Sequence, residues 1–143
     1  MNLLELEKRQ TLPVKQKLGL ASKRIYSAFM ELLERQFPII DKGSSLKLRS
    51  PSDFAEQLNI HVNHLNRAIK YANGKTTSFM IKNRILQESK RLLTISMWKI
   101  SEIAYALGFS EVTHFNNFFK NHTKMTPTQF RTSEKKKDRI SVK

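Results

Sequence analysis

Two short runs of this chain place amides and cations on one side of a helix and apolar groups on the other. In the first, Asn63, His64, Asn66, Arg67 and Lys70 alternate with Leu65 and Ile69; in the second, Val112, Thr113, Asn116, Asn117 and Lys120 alternate with Phe115 and Phe119. The chemistry open to such a face is recognition by hydrogen bond and charge. A guanidinium meets guanine O6 and N7 bidentately, and a carboxamide does the same with adenine N6 and N7. Arg67 is therefore the leading candidate for a base contact, against a phosphate contact or a surface salt bridge. Asn63 and Asn66 suit adenine or phosphate, and asparagine is a poor choice for an ordinary exposed helix surface. Lys70 and Lys120 suit phosphate. His64 lies on or near the same side, and His61 borders its helix as a cap. The histidines have no third ligand type beside them, so no metal site is expected. No nucleophile–base pair, phosphate loop or paired carboxylates stand out elsewhere, so neither an enzyme nor a cofactor is expected.

These residues need elements that hold them, and the elements occur twice. Phe54-Ala55, Leu58 and Asn59-Ile60 align with Ile103-Ala104, Leu107 and Gly108-Phe109. After one extra residue in the later copy, Leu65 to Lys70 align with Phe115 to Lys120. Self-similarity at a fixed offset marks one structural unit used twice. Each copy reads as a short amphipathic helix, a tight turn and a second helix. Ala55 and Ala104 supply the small side chain that a close helix crossing needs. Asn59 and Gly108 stand where the turn favours φ > 0, which those two residue types tolerate best. Phe115, Phe118 and Phe119, at helical spacing with polar residues between, read as core and not as a stacking platform.

Along the chain, residues 1–19 are weakly patterned and interrupted by Pro13, and read as a mobile lead-in. Residues 22–37 form an amphipathic helix on Ile25, Phe29, Leu32 and Leu33, either packed on the first unit or mediating dimer or inter-domain contact. Residues 40–49 read as a linker. The first unit runs from about 50 to 74, with Ser50 as N-cap, Pro51 at the first helical position and Asn73-Gly74 as the stop. A connector helix over 77–94, capped by Thr76 or Thr77, would be about 27 Å long at about 1.5 Å per residue. That length is comparable to one turn of duplex DNA, ~34 Å. The second unit covers about 100–131, with Ser101 and Ser110 as caps and Thr126-Pro127 restarting a short helix. Residues 133–143 form a basic tail, expected to be disordered.

The net charge is +14, and it is uneven. Residues 1–42 hold 8 basic and 5 acidic residues, whereas residues 43–143 hold 18 and 7. The cationic excess thus travels with the repeated units, as a polyanion-binding surface requires. There are no cysteines, which fits a reducing cytoplasm. No apolar run approaches the ~20 residues needed to span a bilayer, and the N-terminus lacks the pattern of a secretory leader. A membrane role is not expected.

FAEQLNI, HLNRAIK, RILQESKRLL, ISEIAYALGF, FNNFFK and MTPTQFR, in that order over residues 50–131, resemble the DNA-binding region of AraC/XylS-type bacterial transcription regulators. Two positions depart from the family pattern: Lys124 stands where glycine is usual, and Asn117 where a basic residue is common. The resemblance implies an all-α fold, with two homeodomain-like helix-turn-helix units joined by a long helix in a domain spanning about 43–132. It implies a cytoplasmic, nucleoid-associated regulator whose partners are double-stranded DNA and RNA polymerase. A sensor or dimerisation domain, common in the family, is not visible in the chain; residues 1–42 would be the end of such a region. Two rival classes share the charge: a non-specific nucleic-acid binder, and a protein-interaction module with a basic surface.

Overall fold

In the computed structural model, which describes residues 13–141, every regular element is an α-helix. In order they are α1 (Val14–Arg35), α2 (Pro51–Gln57), α3 (Val62–Asn73), α4 (Thr77–Ile95), α5 (Ile100–Ala106), α6 (Val112–Thr123) and α7 (Pro127–Ser141). Residues 1–12 of the expected lead-in and 142–143 of the expected tail lie outside the described residues. The chain forms two compact units. One comprises the described part of Met1–Arg35 with Ser50–Met80, the other Gln36–Arg49 with the described part of Ile81–Lys143.

The first unit is built by packing α1 on α3. Phe29 and Leu33 of α1 join Phe54, Leu65 and Ile69 in a fully buried cluster, and the rings of Phe29 and Phe54 meet edge to face at 5.0 Å. Asn73 Nδ2 donates to Tyr26 Oη at 2.7 Å. Of the two roles open to this helix, packing on the first unit is the one seen. It also starts earlier than the apolar pattern indicates. Pro13 does not interrupt it but precedes it, and its carbonyl accepts from Lys17 N–H at 3.1 Å. Proline is tolerated at a helix start because its missing N–H would have no partner there.

Ser50 and Asp53 form a reciprocal capping box at the start of α2, with Pro51 at its first position. The α2–α3 and α5–α6 turns are then the same structure in two sequences. Leu58 N–H bonds to Phe54 O as Leu107 N–H does to Ile103 O. Asn59 and Gly108 are left-handed (φ 57° and 89°), and their N–H groups bond to Glu56 O and Tyr105 O. Ile60 N–H reaches Ala55 O at 3.0 Å, and Phe109 N–H reaches Ala104 O at 2.9 Å. This Schellman pattern satisfies carbonyls that a helix C-terminus leaves open. Ala55 and Ala104 are both buried, as a close crossing requires.

The second unit corrects three expectations. Residues 40–49 are not a free linker, for Leu46 N–H bonds to Ala106 O at 2.9 Å, and Gln36 and Leu48 exchange two bonds of 2.9 Å. Arg49 donates to Leu107 O at 2.9 Å and lies over the Phe109 ring at 4.6 Å. Ser101 and Ser110 are not the caps. α5 begins at Ile100 after Lys99, whose N–H is taken by Glu102 Oε1 at 2.8 Å, and α6 begins after Glu111. Nor is the tail unstructured from residue 133, since α7 continues to Ser141. No Gly or Pro follows Pro127 to break it, and Glu134–Lys137 pair along its side. Its root is held by Arg131, whose guanidinium donates to Leu93 O at 3.0 Å and Trp98 O at 2.7 Å. Burial pushes the Arg131 guanidinium below its ordinary pKa.

Glu88, 1% exposed, ties the 36–49 segment to α4. Its carboxylate accepts from Ile39 N–H at 2.5 Å and from Arg91 at 2.7 and 3.0 Å, while Arg91 also donates to Ile39 O at 3.1 Å. Burial pushes the Glu88 carboxyl up. The hydrogen bonds from Arg91 and Ile39, with the charges of Arg91 and Arg84, outweigh it and hold the group below the ordinary carboxylate range.

A carboxylate whose pKa is lower folded than unfolded stabilises the fold above its unfolded value and loses that contribution as pH falls through the folded one. The second unit should therefore weaken as pH drops below about 4.5, the ordinary glutamate value. Glu88→Gln should be less stable than wild type at pH 7, with a flatter loss on acidification; equally steep acid unfolding of the variant would remove Glu88 from the cause. Gly108→Ala should cost roughly 1–2 kcal/mol for the left-handed backbone and about 1–3 kcal/mol more for overpacking. The added Cβ would press on Arg49 Cδ and lie 3.1 Å from Leu46 O. Asn59→Ala, at an exposed site, should cost less in the same thermal melts. Equal losses would refute the crowding at Gly108.

Candidate nucleic-acid interface

α3 is held from below and open above. Leu65, Ala68 and Ile69 are buried, and Asn63, His64, Asn66, Arg67 and Lys70 are exposed. Its ends are closed without using that face. His61 Nδ1 accepts from Asn63 N–H at 3.1 Å, and left-handed Gly74 (φ 82°) donates to Lys70 O at 2.8 Å. Thr76, not Thr77, caps α4, accepting from Phe79 N–H at 3.1 Å. Among the described residues the Arg67 side chain has no hydrogen bond or ion pair, so its fork of donors is free. Lys70 Nζ donates one of its three N–H groups to Gly74 O at 3.0 Å and keeps the others for an anion.

Two open clefts flank this row. One, about 550 Å³, is lined by His61, Asn63, His64, Asn66 and Arg67. The other, about 850 Å³, is lined by Asn66, Arg67, Lys70, Tyr71 and the residues 76–78 that begin α4. Tyr71 and the hydroxyls of Thr76 and Ser78 are absent from the sequence-based set. Tyr71 follows Arg67 by four residues, and that spacing alone would have placed it on the same face.

α6 repeats the layout with different electrostatics. Phe115 and Phe119 are buried, Phe118 is half-buried against Phe109 at 5.4 Å, and Val112, Thr113, Asn117 and Lys120 are exposed. Asn116 is only half-exposed, and its Oδ1 is buried with no hydrogen-bond partner among the described residues. Glu111 precedes the helix and lies 3.9 Å from His114. The candidate face of α6 thus has one cation, Lys120, and a carboxylate at its rim; that of α3 has Arg67 and Lys70. Lys124, where glycine is usual, adopts the left-handed conformation regardless (φ 67°), and its N–H bonds to Lys120 O at 2.8 Å as Gly74 does to Lys70.

Among the described residues no helix is long and apolar enough to cross a membrane, and no group of three or more acidic or histidine residues is placed to hold a metal ion.

A family model described as a helix-turn-helix domain matches residues 54–133, more than half of the chain. The HTH-type transcriptional activator RhaS of Escherichia coli O139:H28 (strain E24377A / ETEC) is 30% identical over 77 residues, covering 54% of this chain. RhaS of Escherichia coli strain K12 / DH10B is 29% identical over the same length. The matched stretch is 28% of either relative. Among solved structures, the fold is shared with the C-terminal domain of AraT, a response regulator from Geobacillus stearothermophilus. That match has a TM-score of 0.65 at 23% identity and covers 76% of this chain and 84% of that one. An AraC-type transcriptional regulator from Chromobacterium violaceum gives a TM-score of 0.60 at 24% identity, over 80% and 96%. The DNA-binding domain of the global transcriptional factor AdpA, solved with a target DNA, gives 0.62 at 14% identity, over 79% and 94%.

Proposed function

We propose that this chain, which belongs to the AraC-type helix-turn-helix family, is a sequence-specific duplex-DNA-binding transcription regulator. The observation that carries the reading is the exposed row Asn63, Asn66 and Arg67 on α3, whose side chains have no partners among the described residues, on a helix packed behind. Such donors cost the fold nothing in water and can be satisfied at base edges. In this reading α3 and α6 enter adjacent major-groove segments. Lysines supply most of the affinity through phosphate neutralisation, and Arg67 with the asparagines supplies sequence preference. Weaker discrimination is expected from α6, where Asn117 stands at the position matching Arg67, Lys120 is the one cation of the candidate face, and Glu111 repels phosphate. On the protein side, RNA polymerase is the partner proposed, because the relatives are named as transcriptional activators.

Selection of bound duplexes from a random pool tests the reading. One preferred motif should emerge; uniform recovery of all sequences would mark a non-specific binder. On the selected site, Arg67→Ala should cost about 1–3 kcal/mol and relax the preference at one or two base pairs. Lys120→Ala should weaken selected and unrelated duplexes alike and flatten the slope of log affinity against log salt by about one. If Arg67→Ala lowers both affinities equally, Arg67 is a phosphate ligand and the specificity assignment fails.

A further inference from the structure

The N-terminal half of α1 breaks the rules that the rest of the first unit obeys. The buried residues of α1, Phe29 and Leu33, both lie in its second half. In the first half Val14 is 73% exposed and Leu18 58%, so little burial holds it in place. Its charges are also misplaced. Residues 14–24 carry Lys15, Lys17, Lys23 and Arg24 with no acid, whereas residues 25–35 carry Glu31, Glu34 and Arg35. Cations in the first turn oppose the helix dipole, whose N-terminal end is itself positive. A segment with little packing and unfavourable local electrostatics points to a requirement outside the fold.

Its position supplies the requirement. A Cβ on Gly19 would sit 3.7 Å from both Cε1 and Oη of Tyr71, so the α1 backbone runs against the exposed end of α3. Lys15, Gln16, Gly19 and Lys23 share one face, and with Tyr71 they line an open cleft of about 650 Å³. On the neighbouring side, Leu18 and Ser22 line a second cleft with His64, Arg67 and Tyr71. Tyr71 thus separates the row on α3 from a row of lysines on α1. We infer that the N-terminal half of α1 is a third DNA-contacting element. Lys15 and Lys23 receive backbone phosphates flanking the base pairs read by α3, and Tyr71 stands between the two sets of contacts. The partner is a phosphodiester strand, and the inference rests on the duplex-binding reading above.

The test compares wild type with Lys15→Gln/Lys23→Gln on the selected site. The duplex is either trimmed flush at the α3 end or extended there by about half a helical turn, ~5 base pairs. Wild type should gain affinity from the extension and the double variant should not. Between about 50 and 200 mM salt, wild type should lose roughly tenfold more affinity than the variant, as two phosphate contacts imply. Both side chains are exposed, and removing Lys15 relieves the dipole conflict, so the variant should melt at or above the wild-type temperature. Identical flank and salt responses in the two proteins would overturn the inference while leaving duplex binding intact. So would a free chain that is dimeric until Leu18→Glu separates it and that ignores the flank, since α1 would then serve self-association. Wild type that binds no duplex at all overturns the functional reading and this inference together.

Discussion

Everything that makes the exposed faces usable depends on one backbone constraint, the left-handed residue between the two helices of each unit. At Asn59 and at Gly108 the chain reverses within a single residue, and the flanking N–H groups close on the carbonyls behind it. The short first helix is thereby ended, and the second departs at an angle that buries Leu65 and Ile69, or Phe115 and Phe119. Only then is the opposite side of the second helix left to solvent. Ala55 and Ala104 belong to the same constraint, because a larger side chain there would hold the pair apart. The two turns differ in tolerance. Asn59 is exposed, whereas Gly108 is backed by Arg49 and the Leu46 carbonyl, so the 36–49 segment makes the second turn dependent on glycine.

The units share a scaffold but not a charge pattern. α3 follows a histidine cap and offers a guanidinium with no partner among the described residues. α6 follows Glu111, offers one lysine and sequesters the oxygen of Asn116. In the proposed function this asymmetry assigns most of the sequence reading to the first unit. In the same proposal the second adds phosphate attraction through Lys120.

The duplication, both left-handed turn residues, the Ser50 cap and the apolar sides of α3 and α6 were legible in the sequence, because each is dictated by a local rule. Spacing sets the faces, and a positive φ favours Asn or Gly, as at Asn59 and Gly108. Three features were not legible. Residues 40–49 have linker composition but are fixed by bonds from Leu46 and Arg49 to the carbonyls of Ala106 and Leu107, partners about 60 residues away that no local pattern reveals. Ser101 and Ser110 are good capping residues that lost to Lys99 and Glu111, since a cap is chosen by where packing starts the helix. The tail looked disordered by composition, yet α7 starts at Pro127, is anchored by Arg131 to carbonyls at the end of α4, and meets no Gly or Pro to stop it. At the candidate site, the row on α3 was read directly from spacing. Tyr71, four residues after Arg67, could have been read from the same spacing; the lysines of α1 could not, because their proximity to it exists only once α1 is packed.

The central claim is that a duplicated unit is a duplicated reader of DNA. Footprinting of the selected duplex, paired with the mass of the complex, addresses it most directly. One chain per duplex should protect two sub-sites about one helical turn apart, ~10 base pairs, on one face of the DNA. A single short footprint, or a requirement for two chains before any protection is seen, would contradict the account.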